Sequence, residues 1–214
     1  PPPPLFFLHA YEGIRAAQES RGLGDVYKRQ YPLTVEYLQD NMVIGFYSVL
    51  WIAILLSMML ATEDFFIEDF NDGFLEQTVI KKYSFSLLIS SKIFTYWLLI
   101  GLPISILSFV FSLGTSENMT LSLLILPLSM ISSYIFLHLF VLGNALSLNK
   151  GSVLGALVTM PMALPVLIVL GKSVTAIQVE INYMGFIYLL LGCLSIIIVI
   201  VPQVVTYIIK AHLE

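Results

Sequence analysis

From Tyr31 onward, five stretches of the chain carry no Asp, Glu, Lys or Arg: Met42 to Thr62, Ile93 to Ser116, Asn118 to Asn149, Gly151 to Gly171 and Ile181 to Ile209. Each is long enough for the roughly 20 residues with which a helix crosses a bilayer. A membrane-spanning segment must be a helix or a strand of a closed barrel, because lipid offers no partner to backbone N–H and C=O groups. Barrel strands would be short and alternating, whereas these runs are continuously apolar. Composition agrees, with 58% hydrophobic and 11% charged residues against about 25% charged in soluble domains. The expected fold is an all-α polytopic transmembrane helix bundle, with spans near residues 43–62, 87–113, 121–143, 152–170 and 182–209.

Orientation follows from Lys and Arg, which concentrate in short cytoplasmic loops while acidic residues carry little weight. Threading the five spans alternately brings Lys81, Lys82, Lys150 and Lys210 to one side and leaves Lys172 opposite. The 63–85 segment, the 144–151 turn and the C-terminus are therefore expected to be cytoplasmic. A net charge of -4 with no basic cluster argues against a nucleic-acid partner.

The first thirty residues read differently. They are polar, hold all three arginines (Arg15, Arg21, Arg29) and contain no apolar run, so they are not a secretory signal. Their closing GLGDVYKRQ resembles adaptor-derived read-through. Residues 1–30 are taken as a non-native or disordered lead-in, and 31–214 as a truncated membrane bundle. An odd span count after such a start suggests that a first helix is missing, with YPLTV as its outer end: five spans present of an expected six.

Between the first two runs lies EDFFIEDFNDGFLEQ, Glu63 to Gln77, with six of the chain's fourteen acidic residues. Asp64, Glu68, Asp72 and Glu76 recur every four residues, and Phe66, Phe70 and Phe74 do the same. That spacing stacks side chains along one helix face. It predicts a helix with a carboxylate stripe and a Phe stripe, broken near Asn71–Gly73, where glycine weakens a helix by about 1 kcal/mol. An anionic cytoplasmic leaflet attracts Lys and Arg rather than acids, so such a helix should face protein. The alternative is an interfacial helix whose Phe residues dip into lipid.

TEDFFIEDFNDGFLEQ, followed by SKIFTYWLLIGLPISILS and NKGSVLGALVTMPMALPVLIV, resembles the haem exporter protein B family of the cytochrome c maturation (Ccm) system, an ABC-2-type transporter permease. The pattern runs through Glu63, Phe66, Asp69, Asp72, Gly73, Leu75, Glu76 and Gln77. It continues at Lys92, Trp97, Gly101, Leu102 and Pro103, and resumes at Lys150, Gly151, Pro161 and Pro165. Two departures are Tyr96, where the family often has His, and Asn149-Lys150 in place of a more basic pair. The resemblance implies a multi-pass component of the bacterial inner membrane that works with a separate ATPase, CcmA, and with the membrane proteins CcmC and CcmD. Its task would be haem export, or release of the haem-loaded chaperone CcmE, during c-type cytochrome biogenesis. The 63–77 segment would be the cytoplasmic amphipathic coupling helix on which the ATPase pushes. A non-transporting scaffold of the haem-handling complex, or an ABC-2 permease for another substrate, are the alternatives.

The remaining chemistry is sparse. No GxxxxGK[ST] loop is present, which places ATP on another polypeptide. No catalytic constellation or metal motif is apparent, no covalently bound cofactor is expected, and haem enters only as a handled ligand. Cys193 stands alone in an apolar span and reads as packing. His138, mid-span in YIFLHLF, reads first as a hydrogen-bonded bundle histidine, with haem contact as the alternative. His212 reads as a solvated residue beside the C-terminus. Gly151 and Gly155 form a GxxxG pair, which lets membrane helices approach closely. Pro103, Pro127, Pro161, Pro165 and Pro202 fall inside spans, where each removes a backbone donor.

Overall fold

The computed structural model describes residues 45–80, 84–115, 119–148, 152–179 and 181–213. The lead-in 1–30, residues 31–44, and Lys81, Lys82, Lys150 and Gly151 lie outside them. Helix α1 covers Gly45–Ala61. It is followed by α2 (Ile67–Asn71), α3 (Phe74–Ile80), α4 (Phe85–Tyr96), a π turn (Trp97–Gly101), α5 (Leu102–Thr115), α6 (Met119–Leu146), α7 (Ser152–Gln178) and α8 (Met184–Leu213).

The described residues form an all-α membrane bundle with four helices long and apolar enough to cross a bilayer: Phe85–Thr115, Met119–Leu146, Leu157–Gln178 and Met184–His212. Of the expected span near 43–62, the described part is the apolar helix Gly45–Ala61, which begins where the described residues begin. It stops where Thr62 Oγ1 donates to the Met58 and Met59 carbonyls, both at 3.0 Å. This local bonding occupies the last carbonyls of the helix and turns the chain out of it.

Helix α6 is the core of the bundle. It packs on α5, α7 and α8, and 67% of its most apolar window is buried against 11% for α8. The sequence explains the contrast. Helix α6 mixes Ser, Gly and Asn with its apolar residues, and small residues let membrane helices approach closely; α8 is dominated by Ile, Val and Leu that remain open to lipid. The inner faces of α5 and α6 carry buried Ser105, Ser108, Ser112, Ser122, Ser129, Ser132 and Ser133. Tyr47 of α1 reaches the same seam, its hydroxyl 2.7 Å from Ser112 Oγ.

Helix α1 runs antiparallel to the α4–α5 span. Tyr47 lies at the far end of α5, and Phe65, just beyond α1, lies beside Lys92 of α4. The 18 residues on one side and 20 on the other correspond to about 27 and 30 Å of helix, so the two contacts are mutually consistent.

Helices α6 and α7 touch backbone to backbone. A Cβ on Gly143 would stand 2.6 Å from Gly155 O, and one on Gly155 would run into the Gly143 carbonyl. The close approach expected around Gly155 is thus made across two helices, to Gly143, and Gly151 lies outside the described residues.

The α4–α5 span is interrupted by a π turn. The Leu102 N–H bonds to Trp97 O, five residues back, just ahead of Pro103. A proline ring presses on the preceding turn and removes a donor, and a widened π turn makes room for it.

Candidate functional site

The acidic segment folds as an elbow, Thr62 to Ile80, between α1 and α4. Gly73 divides it. Its φ of 70° lies in the left-handed region that glycine occupies without steric cost, so α2 ends at Asn71 and α3 starts afresh at Phe74. The predicted break is present, and it has a consequence for the stripes. Asp64, Glu68, Asp72 and Glu76 are all exposed, but Phe66 is buried, Phe70 half-buried and Phe74 46% exposed. The expected single Phe face does not exist, because the left-handed residue resets the helical phase between Phe70 and Phe74. The buried apolar set is instead Phe65, Phe66 and Leu75, each 1% exposed.

Two side chains from the spans hold the elbow down. Lys92 of α4 sends its ammonium to Phe65 O and to Asp69 Oδ2, both at 2.6 Å. The same Nζ lies 4.7 Å from the centre of the Phe65 ring, with Phe66 and Tyr96 further out at 5.7 and 5.9 Å. A cation among aromatic faces with a carboxylate and a carbonyl is well solvated by protein, as a charge within a span must be. Phe65 also stacks edge-on against Phe66 and Tyr96, which fixes the ring under the ammonium. Tyr96 thus completes the aromatic wall.

Asn144, at the C-terminal end of α6, makes the second hold. Its Nδ2 donates to Thr62 O at 2.9 Å and to Glu63 O at 2.6 Å, and its Oδ1 accepts from the Phe66 N–H at 3.2 Å. Phe66 is the N-cap of α2, and its phenyl side chain makes no cap hydrogen bond. In a capping box the residue three positions on would reach back to that N–H. Here that residue is Asp69, already engaged by Lys92, and Asn144 supplies the acceptor from another helix. One carboxamide thus uses three of its four hydrogen-bonding positions to tie the exit of α1 to the end of α6.

The family-pattern positions fall into two groups. Around the elbow, Phe66 and Leu75 are buried, Asp69 pairs with Lys92, and Gly73 makes the turn. Glu63, Asp72, Glu76 and Gln77 are exposed. Farther along, Trp97 donates its Nε1–H to Ser133 of α6 at 3.1 Å and packs on Tyr134. Gly101 is required beside it, since a Cβ there would come within 2.5 Å of Trp97 Cδ1. Pro103 follows the π turn, and Pro161 and Pro165 lie on the exposed side of α7. Lys150 and Gly151 lie outside the described residues. Asn144 belongs to no sequence pattern; its only signal is a carboxamide at the end of a long apolar run.

His138 is buried, its Nδ1 2.8 Å from Tyr134 O and its ring edge-on to that tyrosine. The intrahelical bond matches the reading of a satisfied bundle histidine. Cys193 is half-buried on α8. Among the described residues no group of three or more His, Cys, Asp or Glu could hold a metal ion.

A family profile described as "CcmB protein" matches residues 41–212, most of the chain and all of the geometry above. The chain belongs to the CcmB family. This CcmB-family chain is 31% identical over 139 residues to "Heme exporter protein B" of Haemophilus influenzae, covering 64% of this chain and 63% of that protein. It is 32% identical over 122 residues to the protein of the same name from Pseudomonas aeruginosa, covering 56% and 55%. With the Escherichia coli K12 protein the match is 38% over 60 residues, 28% of this chain and 27% of that one. Each alignment spans less than two-thirds of the relative's length. Family and helices together identify a multi-pass protein of the bacterial inner membrane.

Proposed function

We propose that this CcmB-family chain is the membrane permease of a Ccm ABC transporter, and that the acidic elbow is the cytoplasmic coupling element on which a separate ATPase acts. One observation carries the proposal. An arm of two short helices bearing five exposed carboxylates (Glu63, Asp64, Glu68, Asp72, Glu76) is fastened to α4 by Lys92 and to α6 by Asn144. An element that transmits force needs a recognition surface outside and stiff attachment to more than one span inside, and this arm has both. Exposed carboxylates suit a basic protein partner and are repelled by an anionic leaflet. With α1 counted as the fifth span, the elbow, the end of α6 and the end of α8 share the cytoplasmic side. The relatives' printed name, heme exporter, points to haem as the substrate class; the family resemblance adds the haem-loaded chaperone CcmE and the partners CcmA, CcmC and CcmD.

The test is co-purification of the ATPase with a variant in which Glu63, Asp69, Asp72 and Glu76 are all alanine. Membrane insertion should be unchanged, and recovery of the ATPase should fall markedly, more so at higher salt because exposed charges are screened. Asp69→Ala alone separates the roles, since it removes the Lys92 partner while sparing the exposed acids. Undiminished recovery with the quadruple variant would favour an elbow that rests on lipid.

A second expectation concerns Gly73. Proline fixes φ near −65°, far from the 70° observed, and it removes the N–H that bonds Phe70 O at 3.2 Å. Gly73→Pro in an otherwise complete system should leave the protein in the membrane yet stop maturation of c-type cytochromes, read by haem staining. Haem-loaded chaperone accumulating without cytochromes would assign the arm to release rather than export. Normal cytochrome levels would exclude a coupling role for it.

A further inference from the structure

The serine seam between α5 and α6 has an excess of acceptors. A hydroxyl has one hydrogen and two lone pairs. Ser105 gives its hydrogen to Gly101 O at 2.7 Å, Ser108 to Ile104 O at 2.8 Å and Ser133 to Met130 O at 3.1 Å, each within its own helix. Their lone pairs remain for the seam. One donor from outside uses them: Trp97 Nε1–H binds Ser133.

Trp51 of α1 is the counterpart without a partner. Its side chain is 2% exposed, and its Nε1 is the buried side-chain polar atom left without a hydrogen bond among the described residues. Register places it beside the seam. Tyr47, four residues earlier on the same buried face, meets Ser112, and the helices run antiparallel, so Trp51 lies level with Ser108, four residues before Ser112. A buried donor left unpaired costs about 1–3 kcal/mol, and within the bilayer no bulk solvent relieves it.

We propose that Trp51 Nε1 and Ser108 Oγ enclose an internal water-binding site at the junction of α1, α5 and α6. The ligand must accept one hydrogen bond from the indole and donate into surplus serine lone pairs. Water does both and is the smallest molecule that does. Buried waters commonly make about three such bonds to otherwise unsatisfied groups. A seam joined partly through water also explains why Ser105, Ser108 and Ser133 bond back to their own helices and still pack in the interior, beside the direct crossing from Ser122 Oγ to Ser112 O at 3.2 Å. The site does not depend on the coupling role of the elbow.

The test is magic-angle-spinning NMR of the full chain in lipid bilayers with both tryptophans 15N-labelled at the indole, Trp51→Phe serving to assign the two signals. Magnetisation transfer from water should reach the Trp51 indole hydrogen, whose shift should be that of a hydrogen-bonded N–H. Ser108→Ala should abolish the transfer while the Trp97 signal keeps its position. A Trp51 indole with no transfer from water and the shift of a free N–H in the unaltered protein overturns the proposal, and so does full transfer in Ser108→Ala. The measurement on the unaltered protein decides even where a variant fails to accumulate.

Discussion

Replacing Asn144 by leucine is expected to free the acidic elbow from the bundle and to stop maturation of c-type cytochromes while the protein still enters the membrane. Leucine is close to asparagine in size, so the site is not emptied. What it loses is three hydrogen bonds, at 2.6, 2.9 and 3.2 Å, to the Glu63 and Thr62 carbonyls and the Phe66 amide. Thr62 and Phe66 are buried, at 2% and 1% exposure, so water cannot replace the carboxamide without opening the elbow. Each buried group left unpaired costs about 1–3 kcal/mol. Three of them, partly rehydrated, come to roughly 3 kcal/mol, which shifts the closed elbow toward open about a hundredfold. Limited proteolysis of membranes should therefore cut between Thr62 and Gly73 in Asn144→Leu and spare the unaltered protein. Asn144→Asp keeps the acceptor for Phe66 but sets a carboxylate against two carbonyls, and should cut nearly as fast. A proteolytic pattern unchanged by Asn144→Leu would mean that Lys92 alone holds the elbow.

The residues that make this elbow show which parts of the fold are legible in sequence. The bundle class is legible because desolvation is a property of composition, and charge-free runs announce it without reference to any partner. The break at Gly73 is legible for a similar reason, since a glycine after Asn-Asp punctuates a helix locally. The Phe stripe misleads because four-residue spacing has meaning only while one helix continues, and a positive φ at Gly73 ends that continuity. Lys92 can be seen as a cation at the edge of an apolar span, but its partner Asp69 is 23 residues away. Asn144 meets groups 78, 81 and 82 residues away, and no local pattern encodes a contact of that range. Trp51 is hidden likewise, because an indole in an apolar run looks like packing until its buried donor is seen to lack a side-chain or backbone partner. The GxxxG spacing marks Gly155 as a place of close helix approach, but its partner there, Gly143 of the neighbouring helix, is not encoded locally.

That contact sets the second large effect. Gly155→Leu should cost about 3 kcal/mol or more and sharply reduce the amount of folded protein, because the new side chain has nowhere to go. A Cβ at this position meets the carbonyl group of Gly143, with Ser147 Oγ 2.7 Å away. Backbone atoms cannot rotate aside, so α6 and α7 must separate, and overpacking typically costs about 1–3 kcal/mol even where neighbours can shift. Gly155→Ala gives a graded version, and Gly192→Ala on α8 is the control, since nothing lies within 4 Å of a Cβ there. In a helix interior that control should be neutral or gain up to about 1 kcal/mol. Thermal unfolding of the purified proteins in detergent ranks the three, and equal melting points for Gly155→Ala and Gly192→Ala would remove the crossing from the fold's requirements. Gly143 immediately precedes Asn144, so parting the helices here also carries the carboxamide away from Thr62, Glu63 and Phe66. Gly155→Ala should therefore expose the elbow to the protease that cuts Asn144→Leu, although it alters no residue of the elbow. Cleavage in that variant, with Gly192→Ala intact, would establish that the α6–α7 crossing and the acidic arm move as one unit.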